Sequence, residues 1–156
     1  MITRLAKFVK FTHNNHMKYI AKNEKETISF AKTMAKDFVG GEVIGLIGDL
    51  GAGKTTFAKG LALGLGVKVN VNSPTFVLMK VYPVKKGKIK NLVHIDAYRI
   101  DCWEDLEVIG ADEYFYNPES VVVIEWADRI KLPVKKKKAK LINLTSQGEE
   151  KRVIKY

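Results

Sequence analysis

The sequence predicts an α/β domain built on a mixed sheet with a parallel centre and antiparallel additions, flanked by helices. Three observations carry this reading. Strand-like and helix-like runs alternate along most of the 156 residues. Two pairs of strand-like runs are split by short turn sequences, and only antiparallel strands can be joined so tightly. Between an apolar run and a helical one lies "GDLGAGKT", Gly48 to Thr55. Its form, G-x-x-x-x-G-K-[ST], is that of a phosphate-binding loop, so the expected fold is P-loop nucleoside triphosphate hydrolase-like. At average residue frequencies the pattern arises by chance in a chain of this length on the order of one time in a hundred or less.

The elements follow in order. A short strand is expected near Lys18 to Ala21, and Asn23, three residues before Glu26, resembles a capping box. Ile28, Ala31, Met34, Ala35 and Phe38 then recur at helical spacing until Gly40-Gly41. "EVIGLIG" reads as a buried strand. Lys54 to Leu65 reads as a helix with Phe57, Leu61 and Leu65 on one face, and Gly64 and Gly66 mark its end. "TFVLMKVY" and "KIKNLVHID" are strand-like, and "PVKKGK" between them suits a hairpin turn. A short helix around Trp103 to Val108 and a break at Gly110 lead to "VVVIEW", whose four consecutive β-branched apolar residues suit a strand buried on both faces. The end of the chain, "AKLINLTSQGEEKRVIKY", reads as two strands joined at "SQGEE".

With 46% apolar and 28% charged residues, the composition is that of a soluble globular domain able to bury its own core. Lys, Asp, Glu or Asn interrupts every apolar run well short of the roughly 18 residues of a membrane span, which excludes a membrane-spanning helix. The single cysteine, Cys102, cannot form an internal disulfide. This fits a reducing compartment and hence the cytoplasm. Its acidic context, "IDCWED", is a poor place to stabilise a thiolate, so Cys102 reads as structural. The formal charge of +10 leans toward polyanion partners. Residues 1–16, "MITRLAKFVKFTHNNH", hold Arg4, Lys7 and Lys10 without an acid, three of those ten charges. They read as an N-terminal extension, a candidate disordered tail, ahead of a P-loop ATPase domain over 17–156. A targeting presequence is the lesser alternative, because the segment is short and lacks a signal-peptide apolar block. The lysine run Lys135 to Lys138 is the one low-complexity stretch.

The chemistry centres on the loop. Gly48, Gly51 and Gly53 permit positive φ and close approach, so that successive N–H groups face a phosphate at a helix N-terminus. Lys54 is placed to reach the outer phosphates and the Thr55 hydroxyl to bind magnesium. Asp49, Leu50, Ala52 and Thr56 complete the candidate nucleotide-binding stretch. Such a loop also needs a carboxylate at the end of a neighbouring strand, holding magnesium directly or through water. "NLVHID" ends in Asp96 and "VVVIE" in Glu125. Each apolar run stops at an acid, which puts a carboxylate at the strand's C-terminal edge where ligands bind. Two such strands behind one phosphate loop favour this role over charges that merely end strands.

The neighbouring residues leave choices open. In "NSPTF", Asn72 to Phe76, Thr75 could bring its hydroxyl to the terminal phosphate or the attacking water, or simply enter a strand after a proline turn. In "HIDAYR", period two puts His94 on the face of Asp96. Two readings fit His94 equally: a tuner of the carboxylate, or a satisfied core histidine. Arg99 could meet phosphate, or pair with Asp101 or Glu104 on the surface. Trp126 could anchor the core or an interface.

Taken in order, "GDLGAGKTT", "SPTF", "HIDAYR" and "VIEWADR" resemble the bacterial tRNA threonylcarbamoyladenosine biosynthesis ATPase family, TsaE, also called YjeE. The likeness covers about Met17 to Tyr156, and "DLEVIGADEYF" resembles the family's acidic helix, glycine and aromatic-rich segment. "SPTF" alone is a weak signal; the ordered set is highly specific. The resemblance implies a small ATPase that assists the proteins TsaB and TsaD in placing a threonylcarbamoyl group on adenosine of tRNA, touching the tRNA indirectly through that complex. It implies ATP and magnesium at the loop, with Asp96 and Glu125 near the metal and the reacting phosphate. It further implies a switch-like Thr75 and a Trp126 beside the nucleotide. The catalytic set expected is thus Asp96, Glu125 and Thr75, and the metal-binding set Thr55, Asp96 and Glu125. Residues 1–16 and the lysine-rich stretch fall outside the family pattern.

Two other functions compete. No Asn-Lys-x-Asp base reader occurs, which disfavours a guanine switch. A small-molecule or nucleoside kinase would use Asp96 with Arg99 to orient an acceptor hydroxyl, and "EWADR" superficially resembles nucleoside kinases. Such enzymes usually carry an arginine-rich lid, whereas Arg4, Arg99, Arg129 and Arg152 are scattered. A basic RNA-binding module is the other rival, but its lysines lie in turns with few aromatics between them to stack bases.

Overall fold

The computed structural model of the chain describes residues 17–131 and 139–156, so the expectations for residues 1–16 and for Lys135 to Lys138 fall outside the described residues. Ten regular elements follow one another: β1 (Lys18–Ala21), α1 (Glu24–Ala35), β2 (Val43–Ile47), α2 (Lys54–Gly64), β3 (Met79–Lys86), β4 (Ile89–Asp96), α3 (Trp103–Val108), β5 (Ser120–Glu125), β6 (Lys140–Gln147) and β7 (Lys151–Lys155). Short 3-10 turns cover Ala111–Tyr114 and Ala127–Arg129. Among the described residues the strands form one seven-stranded sheet in the order β1-β7-β6-β2-β5-β4-β3. Strand β2 runs parallel to β5 and β6, and β4 parallel to β5. Antiparallel β3 closes one edge, and the antiparallel pair β7 and β1 the other. The expected parallel centre with antiparallel additions is thus observed.

Local chemistry accounts for the elements. Asn23 caps α1 by accepting the Glu26 N–H at 3.0 Å, while Glu26 accepts the Lys22 N–H at 2.8 Å. On β5, Val121 and Val123 enter the core under α1 and α2, whereas Val122 and Ile124 enter the one under α3. The alternation of a strand buried on both faces produces this split. Helix α2 lies very close to α1. A Cβ on Gly60 would come within 2.6 Å of the Ala31 Cβ, and one on Gly64 within 2.4 Å of the Lys32 carbonyl. Gly64 therefore does more than end a helix: together with Gly60 it lets the two helices touch.

One strand begins and ends elsewhere than expected. "TFVLMKVY" does not start a strand at Thr75. Pro74 instead accepts the Val77 and Leu78 N–H groups at 3.0 and 2.7 Å, curling the chain into a turn, and β3 begins at Met79. It then continues through Pro83 to Lys86, and the reversal is made by Gly87 and Lys88 with Gly87 at φ 57°. Pro83 fits because β3 is an edge strand and its register shifts between Pro83 and Lys86. Cys102 is exposed, at the N-terminus of α3. A hydrogen bond from the Asp105 backbone pulls its thiol pKa down, yet Glu104, desolvation and the Asp105 carboxylate together push it up overall. Among the described residues, no helix is long and apolar enough to cross a membrane.

Candidate functional site

The C-terminal ends of the parallel strands open onto a cleft of about 710 Å³. Strand β2 leads into the glycine loop, whose backbone settles the question of its glycines. At Gly48 a Cβ would sit 2.4 Å from the Leu144 carbonyl on β6, so the loop leaves the sheet only because no side chain is there. Gly53 adopts φ 97°, a left-handed conformation that other residues enter at a cost, and then hands the chain to α2. The first N–H groups of α2 lack intrahelical acceptors and carry the positive end of the helix dipole, which suits an anion.

Lys54 opens α2 and is only 4% exposed, although it lines the cleft. Its ammonium donates to the Gly48 carbonyl at 2.6 Å and the Asp49 carbonyl at 2.8 Å, and lies 3.6 Å from the centre of the Trp126 ring. Among the described residues no carboxylate lies within ion-pairing distance of it. Burial pushes its pKa below the ordinary lysine value, against the upward pull of Glu125, Asp128, Asp96 and Asp49 at longer range. A buried cation next to a helix N-terminus, without a contacting anion, has the charge and placement that suit one.

The two acids stand side by side, since Asp96 and Glu125 are register partners at the ends of adjacent parallel strands. Both Glu125 oxygens are 2.9 Å from the Thr55 hydroxyl, and Oε1 is also 2.8 Å from His94 Nε2. Asp96 Oδ2 accepts hydrogen bonds from the Ser73 and Thr75 hydroxyls at 2.7 and 2.9 Å, and Oδ1 accepts the Tyr98 N–H at 2.9 Å. Trp126, immediately after Glu125, takes φ 61° and so turns the chain sharply, bringing its ring over Lys54 and 5.0 Å from the Tyr98 ring.

Of the residues singled out in the sequence, Leu50, Gly51, Gly53, Lys54, Thr55, Thr56, Thr75, Asp96, Glu125 and Trp126 all line the cleft. Gly48 packs on β6, Ala52 is in the core, and Asp49 turns its carbonyl to Lys54, so these three support the loop from outside the cleft lining. Among the described residues Arg99 pairs with neither Asp101 nor Glu104, and its guanidinium lies 5.5 Å from the centre of the Phe76 ring. His94 is 1% exposed and its Nε2 meets Glu125 on the neighbouring strand rather than Asp96 on its own, a contact that fits a satisfied buried histidine as well as a tuner of a carboxylate.

A family model described as the threonylcarbamoyl adenosine biosynthesis protein TsaE matches residues 21–154. The chain belongs to the TsaE family. A TsaE of Bacillus subtilis, a tRNA threonylcarbamoyladenosine biosynthesis protein by name, is 38% identical over 90% of this chain and 84% of its own length. TsaE of Treponema pallidum is 40% identical over 73% of this chain and 81% of its own. TsaE of Aquifex aeolicus is 43% identical over 72% and 77% respectively. Among solved structures, the crystal structure of Bacillus subtilis YdiB superposes with a TM-score of 0.69 at 34% identity, covering 92% of this chain and 86% of that one.

TsaE membership brings nucleotide binding with it, and the donor set can be judged against a magnesium ion. Among the described residues no group of three or more His, Cys, Asp or Glu side chains is placed to hold a metal unaided. Magnesium usually takes one or two protein carboxylates and fills its octahedron with water and phosphate oxygens. Thr55, Glu125 and Asp96 fit an ion of that kind, arriving with its nucleotide. Sequence reasoning missed Ser73, which shares Thr75's bond to Asp96, although a hydroxyl two residues before Thr75 was a visible signal. It also missed Glu24, Glu149, Glu150 and Arg152, which line the cleft from α1, from the β6–β7 turn and from the start of β7. Arg152 donates to the Gly51 carbonyl at 3.2 Å across the sheet. Nothing local in "EEKRVIK" announces that reach.

Proposed function

We propose that this chain is an ATP-binding and ATP-hydrolysing accessory protein of tRNA threonylcarbamoyladenosine biosynthesis, acting with TsaB and TsaD and meeting tRNA through that complex. The observation that carries the proposal is Lys54: a lysine only 4% exposed, its ammonium without a contacting carboxylate, at the N-terminus of α2 and beside two strand-end acids. Storing a cation this way costs folding free energy unless an anion uses it. The triphosphate of ATP is the anion that loop, lysine and acids serve together.

In this reading the loop N–H groups and Lys54 bind and orient the phosphates. Thr55, Glu125 and Asp96 hold magnesium, which when bound neutralises charge on the outer phosphate oxygens. Asp96 and Glu125 orient the attacking water, and Thr75 lies beside the reacting phosphate. Water adds to the terminal phosphorus, the bond to the ADP oxygen breaks, and inorganic phosphate leaves. Trp126 covers Lys54 and keeps bulk water from the ammonium. The hydrolysis resets the partner complex between rounds of tRNA modification. ATP turnover by the purified chain with TsaB and TsaD tests the assignment. Glu125→Ala and Asp96→Ala are each expected to lower it at least about a hundredfold, the scale of removing one preorganised electrostatic group. Full turnover in both variants would contradict it.

A further inference from the structure

We propose that His94 is a positioning residue for Glu125, fixing its carboxylate in the orientation that meets the Thr55 hydroxyl. The inference rests on the reading of Glu125 as a magnesium and water ligand, and it begins from the sheet. Leu92, His94 and Asp96 alternate onto the face of β4 that packs under α2, as do Val121, Val123 and Glu125 on β5. His94 is the register partner of Val123, one step short of the Asp96 and Glu125 level, so its ring reaches the carboxylate from below. The contact is 2.8 Å between Nε2 and Oε1, with the side chains only 1% and 4% exposed.

The hydrogen-bond inventory decides what the ring does. A carboxylate only accepts, so Nε2 carries the proton. Nδ1 is buried and has no partner among the described residues. The contact with Glu125 therefore fixes which ring nitrogen donates, and Nδ1 turns away from the carboxylate. A histidine kept only for packing would be better replaced by leucine or methionine, which bury no unpaired nitrogen. What the imidazole adds is one directed N–H to Oε1. Glu125 then has His94 and Thr55 as its two fixed contacts, one from β4 and one from α2. Rotation about its terminal torsion is restrained by a group that is 1% exposed and lies outside the cleft lining. The unsatisfied Nδ1 is thus a cost of folding attached to a gain in preorganisation.

The test compares two substitutions. His94→Met fills the space and removes the donor; His94→Gln returns an N–H near the place of Nε2. His94→Met is expected to lower partner-stimulated kcat for ATP by between about tenfold and a hundredfold, the usual scale for a group that orients a ligand. KM is expected to stay within about twofold and thermal stability not to fall, and His94→Gln to recover most of the lost kcat. A second readout needs no turnover. In the nucleotide-free, nitrogen-labelled protein, one imidazole signal should show a proton held on Nε2. It should vanish in His94→Gln and relax toward a mixture of tautomers in Glu125→Ala. Full kcat in His94→Met, equal damage in both variants, or an Nε2 without a proton would overturn the proposal. If the wild-type protein hydrolyses no ATP with its partners, the reading of the site fails. The tautomer and its dependence on Glu125 still decide the His94 contact.

Discussion

At the scale of single residues, Lys54 shows how stability and function oppose each other. Its pKa is lowered in the folded protein, chiefly by burial, so between that lowered value and the ordinary lysine value the unfolded chain binds more protons than the folded one. Stability of the nucleotide-free protein therefore rises with pH through that window as the cost of burying the charge disappears. Lys54→Met has no such group, and its unfolding free energy should lack this rise when both proteins are melted in urea across the alkaline range. The same variant should bind ATP at least about a hundredfold more weakly by calorimetry, as befits a lost charge-assisted contact in a buried site. Parallel pH profiles for the two proteins would show that the lysine is not buried as a charge. Lys54, Thr55, Asp96 and Glu125 were all legible in the sequence, because a loop motif and two apolar runs ending in acids each state their chemistry locally. Ser73 was half legible, lying in a quoted motif beside the threonine that drew attention. The role of Arg152 was not legible, since its hydrogen bond to Gly51 spans the whole distance between the first and last thirds of the chain.

At the scale of elements, the helical pair α1 and α2 borders the cleft, carrying Glu24 at the start of one helix and the loop at the start of the other. Their contact depends on Gly60 and Gly64, where a side chain would meet Ile28, Ala31, Lys32 and Ala35. Gly60→Val should cost about 2 kcal/mol of stability through overpacking, read as a lowered urea midpoint with an unchanged slope. An unchanged midpoint would mean that the helices separate more easily than their spacing implies. The helix itself was readable from periodicity, but Gly64 was read only as its terminator and Gly60 carried no signal, because close approach is a property of two elements. The turn at Thr75 was misread for a related reason. "TFV" has the composition of a strand, and only the Pro74 carbonyl, accepting two N–H groups, shows that it curls. That turn is what swings Ser73 and Thr75 onto Asp96.

At the scale of the whole molecule, the sheet order joins what the sequence separates. Pairing β1 with β7 and β6 with β2 folds the last hairpin back against the phosphate loop. Arginines that look scattered along the chain are gathered as well. Arg99 lies over Phe76 next to Thr75, Arg129 over the ring of Tyr98, and Arg152 on Gly51. Their spacing in sequence was therefore a weak argument against a lid, and what now disfavours the kinase reading is their engagement with rings and carbonyls together with membership of the TsaE family. The parallel centre was legible because an apolar strand, a phosphate loop and a helix dictate it locally. Which hairpin lies at which edge was not, because pairing between distant strands leaves no mark in either alone. The central claim is that this chain supplies nucleotide turnover to a tRNA-modifying complex. Threonylcarbamoylation of tRNA by TsaB and TsaD, followed over several turnovers with the wild-type chain, with Lys54→Ala and without either, tests it most directly. Modification should continue past the first turnover only with the wild-type chain, and equal multi-turnover modification in all three reactions would contradict the account.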